Sequence, residues 1–215
     1  TEENRLIIQE KLPEAVMITY DPEKIMEEGE GRENFSLLVE KECMQPSAVV
    51  LGPGLGQRPY VKTVVKNVLS SVCSPVIIDA DGLNVIAANP ELTGYYTENV
   101  IITPHLGEMA RLAGKEIREI QENLPAAAAE YAESYGITCV LKDAATVVAD
   151  REGKISVNKS GCSAMAKGGS GDVLTGIIAA LIAQGMEEVL AARTGVYLHG
   201  LCGQQAALRK GNYGL

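Results

Sequence analysis

Four short runs constrain this chain more than anything else in it: Ala48-Val49-Val50-Leu51, Pro75-Val76-Ile77-Ile78, Val100-Ile101-Ile102-Thr103 and Ile137-Thr138-Cys139-Val140-Leu141. Each is almost wholly apolar, with no polar residue at alternate positions, so each reads as a strand buried on both faces. Helix-length segments separate them at residues 60–72, 82–88, 106–113 and 116–135, with Pro125 marking a break or restart in the last and Gly136 closing it. Strands alternating with helices in this way predict an α/β fold with a mostly parallel central sheet, right-handed crossovers and helices on both faces. Ligands of such sheets lie beyond the carboxyl ends of the strands. The polar segments that follow the runs, Gly52 to Gly56, Asp79 with Asp81 and Asn84, His105 with Glu108, and Lys142, are therefore expected to share one rim.

The remaining segments fill in around that frame. Residues 3–12 read as an amphipathic helix, 15–19 as a short strand, 21–32 as an acidic and mostly irregular stretch, and 35–43 as a further helix. Thr146-Val147-Val148-Ala149 and Ile155-Ser156-Val157 form a hairpin turning at residues 150–154, and a long helix over 187–209 closes the chain. No solenoid repeat or low-complexity linker interrupts it. The 215 residues suffice for one α/β domain with a sizeable core.

A formal charge of −9 with no basic run disfavours nucleic acid and anionic membrane surfaces as partners. Five scattered cysteines without a C-x-x-C pair argue against a zinc or disulfide framework and suit a reducing compartment. No secretory signal opens the chain and no apolar run reaches membrane-spanning length, so a cytoplasmic protein is expected. Both ends look cut: Thr1 is no initiator Met, and Asn212-Tyr213-Gly214-Leu215 trails the last helix.

The chemistry centres on Ala166-Lys167-Gly168-Gly169-Ser170-Gly171-Asp172, which runs directly into the apolar stretch 173–183. Three glycines followed by an acid and an apolar run read as a loop tightening into a buried helix, with Asp172 at or near the N-cap. The first turn of such a helix presents unpaired amides, and glycines let an anion approach them, which makes a phosphate cradle. Asp172 has two readings. It caps the helix, or it accepts the proton of a hydroxyl reacting with a phosphoryl group held on the loop.

The other motifs divide similarly. Gly52-Pro53-Gly54-Leu55-Gly56 is neither a dinucleotide fingerprint nor a Walker loop; it is a tight turn that also brings bare backbone to the rim. Asp79, Asp81 and Glu108 each serve as caps singly, but several acids around one anion site also suit Mg²⁺ held through water. Of the two histidines, His105 sits in a strand-end loop fit for a substrate contact, whereas His199, inside the last helix, reads as a packed residue. Lys142-Asp143-Ala144-Ala145-Thr146 lies between two strands, where a nucleotide contact and a snorkelling surface lysine are equally expected. Cys162 and Ser163 read as loop-shaping residues.

The stretch Asn158-Lys159-Ser160-Gly161-Cys162-Ser163-Ala164-Met165-Ala166-Lys167-Gly168-Gly169-Ser170-Gly171-Asp172 resembles the signature of the ADP-dependent NAD(P)H-hydrate dehydratases, carbohydrate-kinase-like repair enzymes of the ribokinase superfamily. Gly52 to Gly56, Asp79-Ala80-Asp81-Gly82-Leu83-Asn84, Thr103-Pro104-His105-Leu106-Gly107-Glu108-Met109-Ala110-Arg111 and Lys142 to Thr146 resemble the other blocks of that family, in its order. The glycine–Asp loop indicates the superfamily; the Pro-His-x-Gly-Glu block narrows it to this family. Leu106, Asp143 and Cys162-Ser163 depart from the proline, glycine and Asn-Pro common there, which touches local backbone geometry.

What the resemblance implies is a ribokinase-like three-layer sandwich, a single domain over 1–215 lacking a front strand–helix unit and its C-terminal end. It implies repair of hydrated nicotinamide cofactors. The ring hydroxyl of the S hydrate is phosphorylated at the expense of ADP, phosphate leaves, and NADH or NADPH returns. Asp172 is then the catalytic acid–base residue. Lys142, Asp143, Ala144, Ala145, Thr146, Cys162, Met165, Ala166, Lys167, Gly168, Gly169, Ser170 and Gly171 bind ADP (or ATP). Gly54, Gly56, His105, Leu106, Gly107, Glu108, Arg111 and Asp172 bind the hydrated dinucleotide, and Asp79 and Glu108 hold Mg²⁺ through water. A homo-oligomer, a tetramer, is expected. The competing expectations are an ATP-dependent kinase for a vitamin precursor or sugar on the same fold, and a noncatalytic nucleotide sensor.

Overall fold

The computed structural model describes residues 1–27 and 29–214. Its centre is one sheet of six strands: β1 (Val49–Leu51), β2 (Val76–Ile78), β3 (Val100–Ile102), β4 (Thr138–Leu141), β5 (Val147–Ala149) and β6 (Ile155–Val157). They lie side by side in chain order, β1 to β4 parallel and β4 to β6 antiparallel. Register follows the apolar runs, with Val49 opposite Val76 and Val76 opposite Val100.

Period-two alternation along the strands creates three layers. Val76, Ile78, Val100, Ile102, Cys139, Leu141, Val147 and Ala149 face one way and join one core, whereas Ile77, Ile101, Val140 and Val148 face the other and join a second. Over the first core lie α4 (Pro59–Ser71), α5 (Asp81–Ala88), α6 (Leu106–Ala113), α7 (Ile117–Glu122) and α8 (Leu124–Tyr135). Over the second lie α9 (Ser170–Ala183) and α10 (Glu188–Lys210), which contribute Leu174, Ile178, Ile182, Ala191, Ala192 and Val196. The other α-helices among the described residues are α1 (Glu2–Lys11), α2 (Pro22–Met26) and α3 (Glu30–Cys43). A small third cluster of Ile25, Phe35 and Val64 ties α2 and α3 to α4. No helix among the described residues is long and apolar enough to cross a membrane.

The structure departs from the sequence expectations at two places, residues 15–19 and 21–32. Residues 15–19 form no strand: Val16 is 89% exposed and Ile18 is exposed too, so the run has no sheet face to pack on. The acidic stretch 21–32 is partly helical, because the Asp21 carboxylate accepts the Glu23 amide, Pro22 opens the first turn, and Ile25 supplies a buried anchor. Residues 116–135 break where Pro125 is expected to mark a restart: they are two helices, with Asn123 between them accepting the Ala126 amide and Pro125 in the first turn of the second. Asp172 is the third residue of α9, near the N-cap as the sequence suggests. The cap is Gly169 at φ +86°, a left-handed conformation that turns the chain into the helix three residues before the acid.

Candidate active site

Because β1 to β4 are parallel, their carboxyl ends all open on one rim, and Gly52, Asp79, Thr103 and Lys142 follow them directly. Beyond Thr103 the β3 exit stays beside the β4 exit: His105 and Lys142 form a parallel bridge, and the Lys142 amide donates to the Pro104 carbonyl at 2.8 Å. The β1 exit closes on the β2 exit because Gly52 has no side chain. A Cβ there, at φ +130°, would stand 1.9 Å from the Asp79 carbonyl oxygen. The same rim meets the N-terminus of α9, around a cavity of about 1010 Å³.

That cavity gathers most of the anticipated nucleotide residues, namely Lys142, Asp143, Ala144, Thr146, Cys162 and the whole run Met165 to Gly171. It also gathers His105, Glu108, Asp79 and Asp172. Ala145 does not line it, and neither do Gly54, Gly56, Leu106, Gly107 and Arg111. These last five sit on the two segments flanking the start of α5: the Gly56 amide donates to Asp81 at 2.8 Å, and Arg111 Nε donates to Asn84 Oδ1 at 3.0 Å.

Asp79 is 1% exposed, and its oxygens are engaged from three sides. Oδ1 accepts Lys142 Nζ at 2.8 Å and the Ala80 amide at 2.9 Å; Oδ2 accepts the Thr175 hydroxyl at 2.8 Å. Thr175 is itself fully buried on α9, one turn beyond Gly171. Glu108, also buried, accepts the His105 amide at 2.8 Å, while His105 Nδ1 accepts the Gly107 and Glu108 amides. This reciprocal cap fixes the entry to α6 and leaves the His105 ring more than half exposed at the cavity, its Nε2 3.3 Å from Glu108 Oε1.

At the mouth of α9 the amides of Gly171 and Asp172 make no hydrogen bond among the described residues, as the first turn of a helix dictates. The Asp172 carboxylate is exposed, lines the cavity and has no hydrogen-bond or ion-pair partner among the described residues. A negative charge in the first turn is favoured by the helix dipole. Amide donors and a free acid thus face one space, which a group carrying both a phosphoryl oxygen and a hydroxyl can occupy.

The opposite wall was not anticipated. Asn158, Ser160, Val196, His199 and Gly200 line the cavity, and His199 is half-buried there. Burial, and secondarily the nearby Lys142 charge, hold its imidazole below the ordinary histidine range. A signal was available in the glycines of α10. Glycine inside a helix is destabilising, so Gly200 and Gly203 need a reason. A Cβ on Gly200 would stand 2.1 Å from Ser160 Oγ, and one on Gly203 would stand 2.2 Å from Met165 Sδ. The glycines seat residues 158–165 against the helix.

No three His, Cys, Asp or Glu side chains gather as a metal site among the described residues. The donor chemistry agrees. Asp79 is engaged on both oxygens by Lys142, Ala80 and Thr175, and Glu108 Oε2 by the His105 amide, which suits an ion held through water more than one ligated directly.

A family model described as NAD(P)H-hydrate dehydratase (Carb_kinase) matches residues 6–215. The chain belongs to the NAD(P)H-hydrate dehydratase family. Among relatives, this chain is 44% identical to the bifunctional NAD(P)H-hydrate repair enzyme of Moorella thermoacetica over 84% of its own length and 34% of that protein. It is 40% identical to the ADP-dependent (S)-NAD(P)H-hydrate dehydratase of Neisseria meningitidis over 72% of its length and 53% of that enzyme. The chain thus spans about a third to a half of the curated relatives it matches. The ADP/ATP-dependent NAD(P)H-hydrate dehydratase of Bacillus subtilis, co-crystallised with ATP/Mg²⁺ and soaked with CoA, superposes with a TM-score of 0.75 at 29% identity, over all of this chain and 73% of that one. A ribokinase-like superfamily protein from Enterococcus faecalis superposes equally well, with a TM-score of 0.75 at 29% identity over 96% of this chain and 67% of that one. The fold of this chain is therefore ribokinase-like, as the motifs implied.

Proposed function

We propose that the cavity carries out ADP-dependent dehydration of the S epimer of hydrated NADH or NADPH. The observation that carries this is the exposed, unpartnered Asp172 carboxylate in one space with the open amides of α9, Lys142 and His105. ADP lies along the wall formed by residues 142–146 and 162–171, with its β-phosphoryl group at the amides. The hydrated nicotinamide enters from the His105 side, and the flanking Gly54, Gly56 and Arg111 extend the surface for the rest of the dinucleotide. Asp172 takes the proton of the ring hydroxyl as its oxygen bonds to the β-phosphorus and the bond to AMP breaks. Phosphate then departs from the ring carbon, which hydroxide does poorly, the neighbouring ring carbon gives up a proton to water, and the double bond of the dihydronicotinamide is restored. The relatives' ADP dependence and hydrate substrates support the reading.

Mg²⁺ belongs to the reading as an ion that accompanies the nucleotide phosphates, with Asp79 and Glu108 reaching it through water and not by direct ligation. A homo-oligomer, a tetramer, also remains part of it; exposed Leu190, Tyr197 and Leu208 on α10 supply apolar surface for self-association. Asp172→Asn in the full-length protein tests the centre of the proposal. Recovery of NADH absorbance from the S hydrate with ADP should slow by roughly 10²–10⁴-fold, the usual worth of a positioned general base. Wild-type protein that regenerates no NADH would refute the activity. ATP-dependent phosphorylation of a stable alcohol without elimination would establish the kinase reading instead.

A further inference from the structure

We propose that Asp79 is a positioning residue, whose buried carboxylate holds the Lys142 ammonium over the glycine turn of α9 so that it meets the transferring phosphoryl group. This rests on the dehydratase reading above. Lysine ends in a flexible stem with three rotatable donors, so its aim must come from what it touches. Lys142 spends one donor on Asp79 Oδ1 at 2.8 Å and keeps its side chain 19% exposed, open to the cavity. The ammonium is also close to the helix mouth: a Cβ on Gly171 would stand 3.2 Å from Lys142 Nζ and 3.6 Å from Asp79 Oδ2. The charge therefore lies beside the amide that receives the anion.

The carboxylate is aimed in turn by α9 itself. Thr175 Oγ1, buried one turn past Gly171, donates to Oδ2, so the lysine is referenced to the helix that binds the phosphoryl group and not to a loop. The next residue carries a cost. Ala80 has φ +49°, the one non-glycine residue with positive φ among the described residues, and its amide donates to Asp79 Oδ1. An unfavourable conformation persists where the surroundings over-determine it, here by the carboxylate that the amide helps to fix. A buried Lys–Asp pair is weak evidence for stability; a pair with its cation open to an anion cavity is suited to binding.

The test is a double-mutant cycle in the full-length protein: Asp79→Asn, Lys142→Met and both, read by kcat and KM for ADP and by calorimetric ADP binding. Asp79→Asn should lower kcat by about 100-fold, as expected for a displaced catalytic charge, while changing KM for ADP less than tenfold. In the Lys142→Met background the same change should cost less than threefold, because Asp79 acts through the lysine. Losses that multiply would overturn the proposal while leaving the dehydratase reading intact; a wild type that neither binds ADP nor regenerates NADH would remove both. If Asp79→Asn fails to fold, Thr175→Val decides, with a drop in kcat of about tenfold expected and an unchanged kcat refuting the inference.

Discussion

Replacing Gly52 with alanine probes the close approach that forms the rim. The new Cβ would lie 1.9 Å from the Asp79 carbonyl oxygen and 2.7 Å from the Gly82 amide nitrogen, both backbone atoms that cannot swing away, at φ +130°. The unfavourable backbone region costs about 1–3 kcal/mol, and overpacking of a closed contact about 1–3 more. Taking about 4 kcal/mol in total, a domain of this size should lose about 8–16 °C in Tm. Gly54→Ala is the control. It shares a positive φ of +67° but has open space around its Cβ, so it should lose only the backbone contribution. Both variants are compared by thermal melts followed by near-UV CD. Because the displaced atom belongs to Asp79, Gly52→Ala should also lower kcat in protein still folded at the assay temperature. A Gly52→Ala melt within 3 °C of the Gly54→Ala melt, a margin of about 1 kcal/mol, would refute the reasoning that this glycine holds β1 and β2 together at the site.

Three further outcomes follow from the structure. Gly200→Ala, which presses on the Ser160 backbone, should raise KM for ADP by about tenfold, whereas Gly203→Ala meets only the flexible Met165 side chain and should raise it less, as steady-state kinetics will show. His199 titrates below its unfolded value, so the unfolded chain binds more protons in that window and stability falls as pH drops below the ordinary histidine pKa, levelling off beneath the depressed one. The melting temperature of His199→Gln should accordingly fall less than that of the wild type between neutral pH and pH about 5.5, a value below the ordinary histidine pKa; equal falls would remove the histidine from the account. Cys139 is fully buried and its thiol is pushed up to about 12, so brief iodoacetamide treatment of native protein should label exposed Cys73 and Cys202 and spare Cys139, as peptide mass spectrometry will report.

How legible the molecule is in its sequence depends on how local the cause is. The strands β1 to β4 declare themselves through residues such as Val76 to Ile78, apolar on both faces, and the β5–β6 hairpin through its charged, glycine-containing turn. The glycine turn before α9 is legible because three glycines ahead of a long apolar run mark a loop tightening into a buried helix. Residues 15–19 mislead because a short apolar run becomes a strand only beside another strand, and none is paired to it among the described residues. The α2 helix is masked by its charges, since one buried side chain, Ile25, decides its packing.

The chain by itself determined its α/β order, the rim on which its polar motifs would meet, and the family to which those motifs belong, because periodicity and glycine spacing act over a few residues. Only the tertiary structure decided what Asp79 binds and that His199 and Gly200 wall the cavity. Lys142 and Thr175 are 63 and 96 positions from Asp79. A carboxylate chooses its partners by distance and burial in space, and neither is written in the order of the residues.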